Sequence, residues 1–128
     1  MLPLKYPWFW ATVGWLLVAG VVFGSLVPGP ALQGVAVGDK LLHAGSYCLL
    51  MLWFGGLYAR RRQVVVALAL FALGCTLEAL QAATTTRSFD LRDMAANGSG
   101  ILIGLVLTAT LLEGWCQRFE RRVLAPTS

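Results

Sequence analysis

The sequence LEALQAATTTRSFDLRDMAAN, residues 77–97, is a polar and charged stretch between two long apolar runs. A charged side chain costs roughly 2.5–3.5 kcal/mol at the centre of a membrane-spanning helix and less near its ends. The stretch is therefore expected to connect two membrane helices rather than to lie within one. Its polar residues are expected to lie at or near one surface of the membrane.

The composition places the chain among integral membrane proteins. Of its 128 residues, 58% are hydrophobic and 12% are charged, and the mean hydropathy is +0.72. A soluble domain carries about 25% charged residues. The length suffices for about four spans and leaves no room for a separate soluble domain. The formal net charge of +4 is interpreted as a topology signal, so no nucleic-acid partner is expected.

Four hydrophobic helices are predicted, at about residues 8–27, 41–58, 64–82 and 94–115, followed by a tail, 116–128, that forms a short surface helix. Pro28-Gly29-Pro30 ends the first helix, which is too long for the ~7–15 apolar residues of a signal peptide. The tryptophans at its start suit an interfacial belt, and another marks the far end of the fourth helix. They are Trp8, Trp10, Trp15 and Trp115. The prediction is a single all-α membrane domain, 1–128, in which four transmembrane helices form an antiparallel bundle.

The basic residues predict the orientation of this bundle. With four spans, seven cations share one face of the membrane and three share the other, so the positive-inside rule places both termini in the cytoplasm. The loops 28–39 and 83–93 then face outward, and the protein is multi-pass in the cytoplasmic (inner) membrane. The seven are Lys5, Arg60, Arg61, Arg62, Arg118, Arg121 and Arg122; the three are Lys40, Arg87 and Arg92.

The same topology brings polar residues of three helices to the outer face. Residues three or four apart share a helix face, as do Asp39 and His43, Glu78 and Gln81, and Asp93 and Asn97. His43, Glu78 and Asn97 each lie about one turn inside the outer end of their helix. Facing one another, these residues share hydrogen bonds and charge, which predicts a small polar pocket that opens outward. Tyr47 would form its floor, and Gly100 and Gly104 would let a neighbouring helix approach below it. The pocket residues are Asp39, Lys40, His43, Glu78, Gln81, Arg87, Asp90, Arg92, Asp93 and Asn97.

Each of these residues also has a purely structural interpretation. The three aspartates suit helix N-caps or partners of a helix dipole, and Ser88-Phe89-Asp90 also suits a turn. Lys40 and Arg92 suit interfacial cations, and His43 a packed, hydrogen-bonded side chain. Glu78 would form an ion pair with Arg87 or Lys40 that locks the helices together. The cysteines Cys48, Cys75 and Cys116 show no disulfide framework or CxxC spacing and are expected to pack as small hydrophobes.

Three motifs in order resemble the VanZ-like family of small bacterial membrane proteins. DKLLHAGSY (39–47), LEALQ (77–81) and TRSFDLRDMAANGSG (86–100) resemble the family pattern DKxxH…Y, ExxQ and RxFDxxDxxxNxxG, and SLVPGP (25–30) is also similar. The residues before Arg87, Thr84-Thr85-Thr86, depart from the Pro or Gly expected there. The resemblance covers about residues 25–105.

The resemblance implies a helical membrane protein of the bacterial envelope. The family takes its name from a member linked to resistance to teicoplanin, a lipid-tailed glycopeptide antibiotic. The motif residues that it carries over as a ligand-binding site are Asp39, Lys40, His43, Glu78, Gln81, Arg87, Asp90, Asp93 and Asn97. Phe89 belongs to the same motif and is expected to pack.

Three functions remain open. The first is a binding or accessory protein whose pocket holds the polar head of a membrane lipid or a lipid-linked envelope molecule. The second is a membrane enzyme in which His43, Glu78 and Asp93 act as acid, base and orienter or hold a metal ion. The third is a small proton-coupled transporter that uses Glu78. No nucleophile motif is present, so no catalytic residue, metal or cofactor is assigned. A homo-oligomer through Gly20/Gly24 or Gly100/Gly104 is also open.

Overall fold

The computed structural model describes residues 1–26, 36–84 and 89–123, and Arg87, Ser88 and the Pro28-Gly29-Pro30 turn lie outside these ranges. The described residues form five α-helices without strands: α1 (Pro7–Leu26), α2 (Ala36–Leu57), α3 (Arg60–Thr84), α4 (Leu91–Thr110) and α5 (Trp115–Val123). The all-α prediction is confirmed.

Two of these helices, α1 and α3, are long and apolar enough to cross a membrane. The count becomes three if α4 and α5, which meet at a bend of 55°, together form one span. α2 has sufficient length, 22 residues, but its polar N-terminal half lowers its hydropathy. These apolar helices make the chain a membrane protein.

Several predicted helix limits differ from the structure, and α2, α3 and α4 begin at Ala36, Arg60 and Leu91 rather than at residues 41, 64 and 94. The fourth helix was expected to reach residue 115, and this is wrong, because α4 ends at Thr110. The backbone N–H groups of Leu111 and Leu112 both donate to Leu107 O, and Gly114 has φ 61, a conformation that suits glycine. The chain therefore turns before α5 begins. The three arginines 60–62, which lie between the second and third predicted helices, form the first turn of α3.

Small residues bring α2 and α4 into close contact along their length. A Cβ at Gly100 would lie 2.8 Å from the carbonyl carbon of Ala44, and one at Gly104 would lie 2.7 Å from the Cβ of Met51. On α2, a Cβ at Gly55 would lie 2.8 Å from Cγ2 of Thr108. The expected role of Gly100 and Gly104 in close helix approach is confirmed, and α2 of the same chain is the neighbour.

The Gly20 and Gly24 positions differ from this contact between α2 and α4, because a Cβ at either would have no described residue within 4 Å. An oligomer contact through Gly100 and Gly104 would have to displace α2, whereas the Gly20 and Gly24 positions have open space.

Near the start of α1, Trp10 lies in an aromatic cluster. Its ring centroid lies 5.3, 5.4 and 6.0 Å from those of Trp53, Trp115 and Phe119. Trp10 is 3% exposed, so its assignment to an interfacial belt is wrong. Trp8, at 84% exposure, remains a candidate for that belt. The cluster joins α1, α2 and α5.

Glu120 fastens α5 to the start of α1. Its carboxylate accepts hydrogen bonds from the backbone N–H groups of Lys5 (2.6 Å) and Tyr6 (3.0 Å) and from Nε1 of Trp10 (2.8 Å). Burial would raise the pKa of Glu120, but these three hydrogen bonds outweigh that effect and lower it. The carboxylate therefore satisfies N–H groups that precede and open α1, which otherwise lack helical partners.

We expect Glu120→Ala to lower the free energy of unfolding by about 2 kcal/mol, because it leaves buried donors unpaired. Thermal unfolding in detergent, followed by tryptophan fluorescence, measures this. Glu113→Gln, at an exposed position, is the matched control and should change little. Because the pKa is lowered on folding, this stabilisation is present above the unfolded pKa near 4.3 and is lost as pH falls through the folded value. A Glu120→Ala protein as stable as Glu113→Gln would contradict this role.

Candidate functional site

A buried ion pair joins the starts of α2 and α4. Nζ of Lys40 lies 2.8 Å from Oδ1 of Asp93 and 3.6 Å from Oδ2 of Asp90. The side chain of Asp93 is 1% exposed, whereas those of Lys40 and Asp90 are 34% and 42% exposed. Burying an ionised carboxylate costs free energy unless a cation is paired with it. Lys40 supplies this positive charge for Asp93. Lys40 is therefore more than an interfacial cation that extends into water.

His43 occupies the next turn of α2, between two polar groups of α4. Its Nδ1 lies 3.1 Å from Oδ1 of Asn97, an acceptor, so this ring nitrogen donates. Its Nε2 lies 3.9 Å from Oδ1 of Asp39 and 3.9 Å from Oδ2 of Asp93. Both separations exceed hydrogen-bond length. The Nε2 atom therefore faces two carboxylates without a direct hydrogen bond to either of these oxygens.

Asp90 and Asp39 also have the structural roles foreseen for them. Asp90 is the N-cap of α4, where its side chain accepts from the Arg92 backbone N–H at 2.8 Å, and Asp39 lies in the first turn of α2. The Arg92 N–H, and then the charge of Lys40, lower the pKa of Asp90. Asp90 therefore stays ionised close to Lys40 while it caps its helix.

Glu78 and Gln81 contact backbone groups in the structure. Oε1 of Glu78, a residue 3% exposed, accepts from the backbone N–H of Asp90 at 2.9 Å. Nε2 of Gln81 donates to the carbonyl oxygen of Ser25. These bonds tie α3 to the start of α4 and to the end of α1. Glu78 therefore positions Asp90. The predicted ion pair between Glu78 and Lys40 is not among the ion pairs of the described residues.

The hydroxyl of Tyr47 lies beneath these groups. Tyr47 is 2% exposed, and its hydroxyl is buried without a hydrogen-bond partner among the described residues. A Cβ at Gly74 would lie 3.2 Å from this hydroxyl and 3.2 Å from Nδ2 of Asn97. Gly74 thus makes room for both polar groups, in agreement with the position expected for Tyr47 below the pocket.

The structure brings together six of the nine predicted site residues. They surround the junction of α2 and α4: Asp39, Lys40, His43, Asp90, Asp93 and Asn97. Glu78 reaches them through the backbone of Asp90, Gln81 points to α1, and Arg87 lies outside the described residues. Three carboxylates against one ammonium group give the junction an excess of negative charge.

Three of these residues have the chemistry and spacing of a metal-ligand set. One ligand atom from each of Asp39, His43 and Asp93 lies within 4.8 Å of the others. The sequence had grouped Glu78 with His43 and Asp93, whereas the structure places Asp39 there. The i, i+4 spacing of Asp39 and His43 was the available signal, but the helix pairing that adds Asp93 could not be inferred from spacing.

Comparison with known proteins identifies one family. The family model described as VanZ/LLP1 matches residues 6–112 of the chain. No curated protein matches the chain. No solved structure matches it either. The family match covers most of the chain and confirms the resemblance drawn from the three motifs.

Proposed function

Because the chain belongs to the VanZ/LLP1 family of bacterial envelope proteins, we propose that the polar junction of α2 and α4 binds the head group of an amphiphilic envelope molecule. The observation that carries the proposal is the ion pair between the partly exposed Lys40 and the buried Asp93, set among further carboxylates at the starts of α2 and α4. Ionisable residues at such positions are costly and commonly mark ligand sites.

The charges favour a head group that carries an amine. Lys40 already contacts Asp90 and Asp93, so a phosphate alone would meet more negative than positive charge. An amine would be attracted to Asp39 and Asp90, whose side chains are 26% and 42% exposed, while a neighbouring phosphate approaches Lys40. A zwitterionic head such as phosphoethanolamine has this arrangement. Teicoplanin, through the family link, is a second amphiphile for the same site.

The proposed orientation remains four spans with both termini in the cytoplasm and the polar junction outside. It is supported by contacts among the basic segments: the backbone of Leu2 bonds to Leu57 O, and Lys5 bonds to Glu120 of α5. Arg60, Arg61 and Arg62 follow in the first turn of α3. The N-terminus, the α2–α3 turn and α5 therefore share one end of the bundle. This end carries most of the cations, as the positive-inside rule requires.

Asp90→Asn should weaken binding of phosphatidylethanolamine about tenfold, because it removes a charge-assisted contact worth about 1.4 kcal/mol. Asparagine caps a helix as well as aspartate does, so the fold should persist. Native mass spectrometry of the detergent-purified full chain measures retention of phosphatidylethanolamine, phosphatidylglycerol and teicoplanin in separate arms. Glu113→Gln is the control.

Equal retention of all three amphiphiles by wild type and Asp90→Asn would refute the proposed binding site.

The orientation is measured with the same protein in right-side-out vesicles. A thiol introduced at exposed Arg92 should react there with a membrane-impermeant maleimide. Labelling only after the vesicles are opened would contradict the outward orientation.

A further inference from the structure

We propose that Asp39, His43 and Asp93 form a divalent metal site of the transition-metal class, with Zn²⁺ or Mn²⁺ as the fitting ions. Two carboxylates and one imidazole suit such ions, and no protein ligand beyond these three is required because water completes the coordination. The inference does not depend on the binding of an amphiphile. The sequence left open a metal ion at His43, Glu78 and Asp93, whereas the proposed site has Asp39 in place of Glu78.

The distances fit an ion of this size. Metal–ligand distances of about 2.0–2.2 Å in a tetrahedral site place neighbouring ligand atoms about 3.4 Å apart, slightly closer than the ligand atoms lie here. Nε2 of His43 lies 3.9 Å from an oxygen of Asp39 and 3.9 Å from an oxygen of Asp93. The three ligand atoms lie within 4.8 Å of one another, so modest side-chain rotations bring them into coordination.

The hydrogen bond to Asn97 prepares His43 for this role. Nδ1 of His43 donates to Oδ1 of Asn97, which in the neutral imidazole leaves the lone pair on Nε2. Metal-binding histidines commonly donate their second ring nitrogen to a carbonyl or carboxylate, which fixes the tautomer and the ring orientation. Asn97 is therefore a positioning residue, on the side of the ring opposite the proposed ion.

Lys40 orients Asp93 without occupying the same oxygen. It contacts Oδ1 at 2.8 Å, whereas Oδ2 is the oxygen that faces His43. The alternative to a metal ion between Nε2 of His43 and the two carboxylates is a proton bound to Nε2. An imidazolium would be expected to approach a carboxylate to about 2.7–2.9 Å, and the separation from both oxygens is 3.9 Å. The 3.9 Å separations therefore leave room between the three groups for a metal ion.

The charge balance also fits a divalent ion. Asp39, Asp90 and Asp93 supply three negative charges and Lys40 supplies one positive charge, which leaves an excess of two negative charges. A divalent cation would neutralise the pair of carboxylates, one of which belongs to a fully buried residue. Neutralisation lowers the cost of burying these charges at the end of a membrane helix.

The test measures binding of Zn²⁺, Mn²⁺ and Co²⁺ to the tag-free, full-length protein in detergent, by equilibrium dialysis and by visible absorption of the Co²⁺ form. We expect about one ion per chain and at least tenfold weaker binding by Asp39→Asn and by His43→Gln, because each loses a direct ligand. Asp39 is partly exposed at the start of α2, so its asparagine variant should fold. Glu113→Gln, which removes one exposed carboxylate elsewhere, should bind as wild type does.

The absence of bound ion from wild-type protein dialysed against millimolar metal would overturn the proposal. Equal binding by Asp39→Asn and wild type would also overturn it. A Co²⁺ spectrum that His43→Gln leaves unchanged would remove the imidazole ligand. Because no lipid is present, failure here leaves the proposed amphiphile site standing, and retention of amphiphile in EDTA separates the two further.

Discussion

Gly100→Ala is expected to destabilise the protein by about 3 kcal/mol, toward the upper end of the range for overpacked cores. Its methyl group would overlap the backbone carbonyl of Ala44, lying 2.8 Å from the carbonyl carbon. Backbone of a neighbouring helix cannot rotate away as a flexible side chain can. Relief therefore requires α2 and α4 to separate.

The matched control is Gly98→Ala, two residues earlier in the same helix. A Cβ there would lie 3.5 Å from Cε2 of Phe71, an ordinary van der Waals distance. Alanine is favoured over glycine within a helix by about 1 kcal/mol, so this variant should be neutral or slightly more stable. Thermal unfolding in detergent compares the two. If both variants unfold at the same temperature, the close approach of α2 and α4 at Gly100 is contradicted.

Separation of α2 and α4 should also affect the polar junction. Lys40 and His43 lie on α2, whereas Asp93 and Asn97 lie on α4, and their contacts measure 2.8 and 3.1 Å. A shift of the helices by 1 Å lengthens these contacts beyond good hydrogen-bond geometry. Gly100→Ala should therefore weaken amphiphile and metal binding together, even though residue 100 lies outside both proposed sites.

The second large effect is expected for Lys40→Met, which leaves the carboxylate of Asp93 buried without its ammonium partner. Breaking a buried pair costs about 3–5 kcal/mol. The side chain of Lys40 is 34% exposed, which screens the interaction, so we expect a smaller loss of stability, measured as a lower midpoint of thermal unfolding. Methionine keeps much of the volume and the apolar stem of lysine, so the loss reflects charge rather than packing.

A double-mutant cycle separates the pair from its surroundings. Lys40→Met combined with Asp93→Asn removes both charges and should recover most of the stability lost in Lys40→Met alone. Arg92→Met, which removes an exposed neighbouring cation, is the control and should change stability by no more than about 0.5 kcal/mol. A double variant no more stable than Lys40→Met would show that the two charges do not compensate each other.

The sequence by itself determined the class of the protein and the placement of its polar residues near helix ends. Long apolar runs are stable within a membrane, and the rarity of charge within them confines the polar residues to helix ends. The motifs at 39–47, 77–81 and 86–100 could therefore be predicted to lie at a similar depth in the membrane. Helical spacing then joined Asp39 with His43, and Asp93 with Asn97, because residues four apart share a face whatever surrounds the helix.

Only the tertiary structure decided which partner each polar group takes. Spacing within one helix says nothing about rotation relative to another, so the pairing of Lys40 with Asp93 depended on how Gly100 and Gly104 pack against α2. For the same reason Asp39, rather than Glu78, joins His43 and Asp93, while Glu78 bonds to the backbone of Asp90.

The opposite end of the protein shows the same division between sequence and structure. The tail was expected to form a short helix, and α5 occupies Trp115–Val123. The burial of the Glu120 side chain between α5 and the start of α1 could not be inferred. Its hydrogen-bond donors lie more than a hundred residues earlier in the chain, at Lys5, Tyr6 and Trp10. Local pattern determines elements and faces, whereas contacts between distant segments exist only once the helices pack.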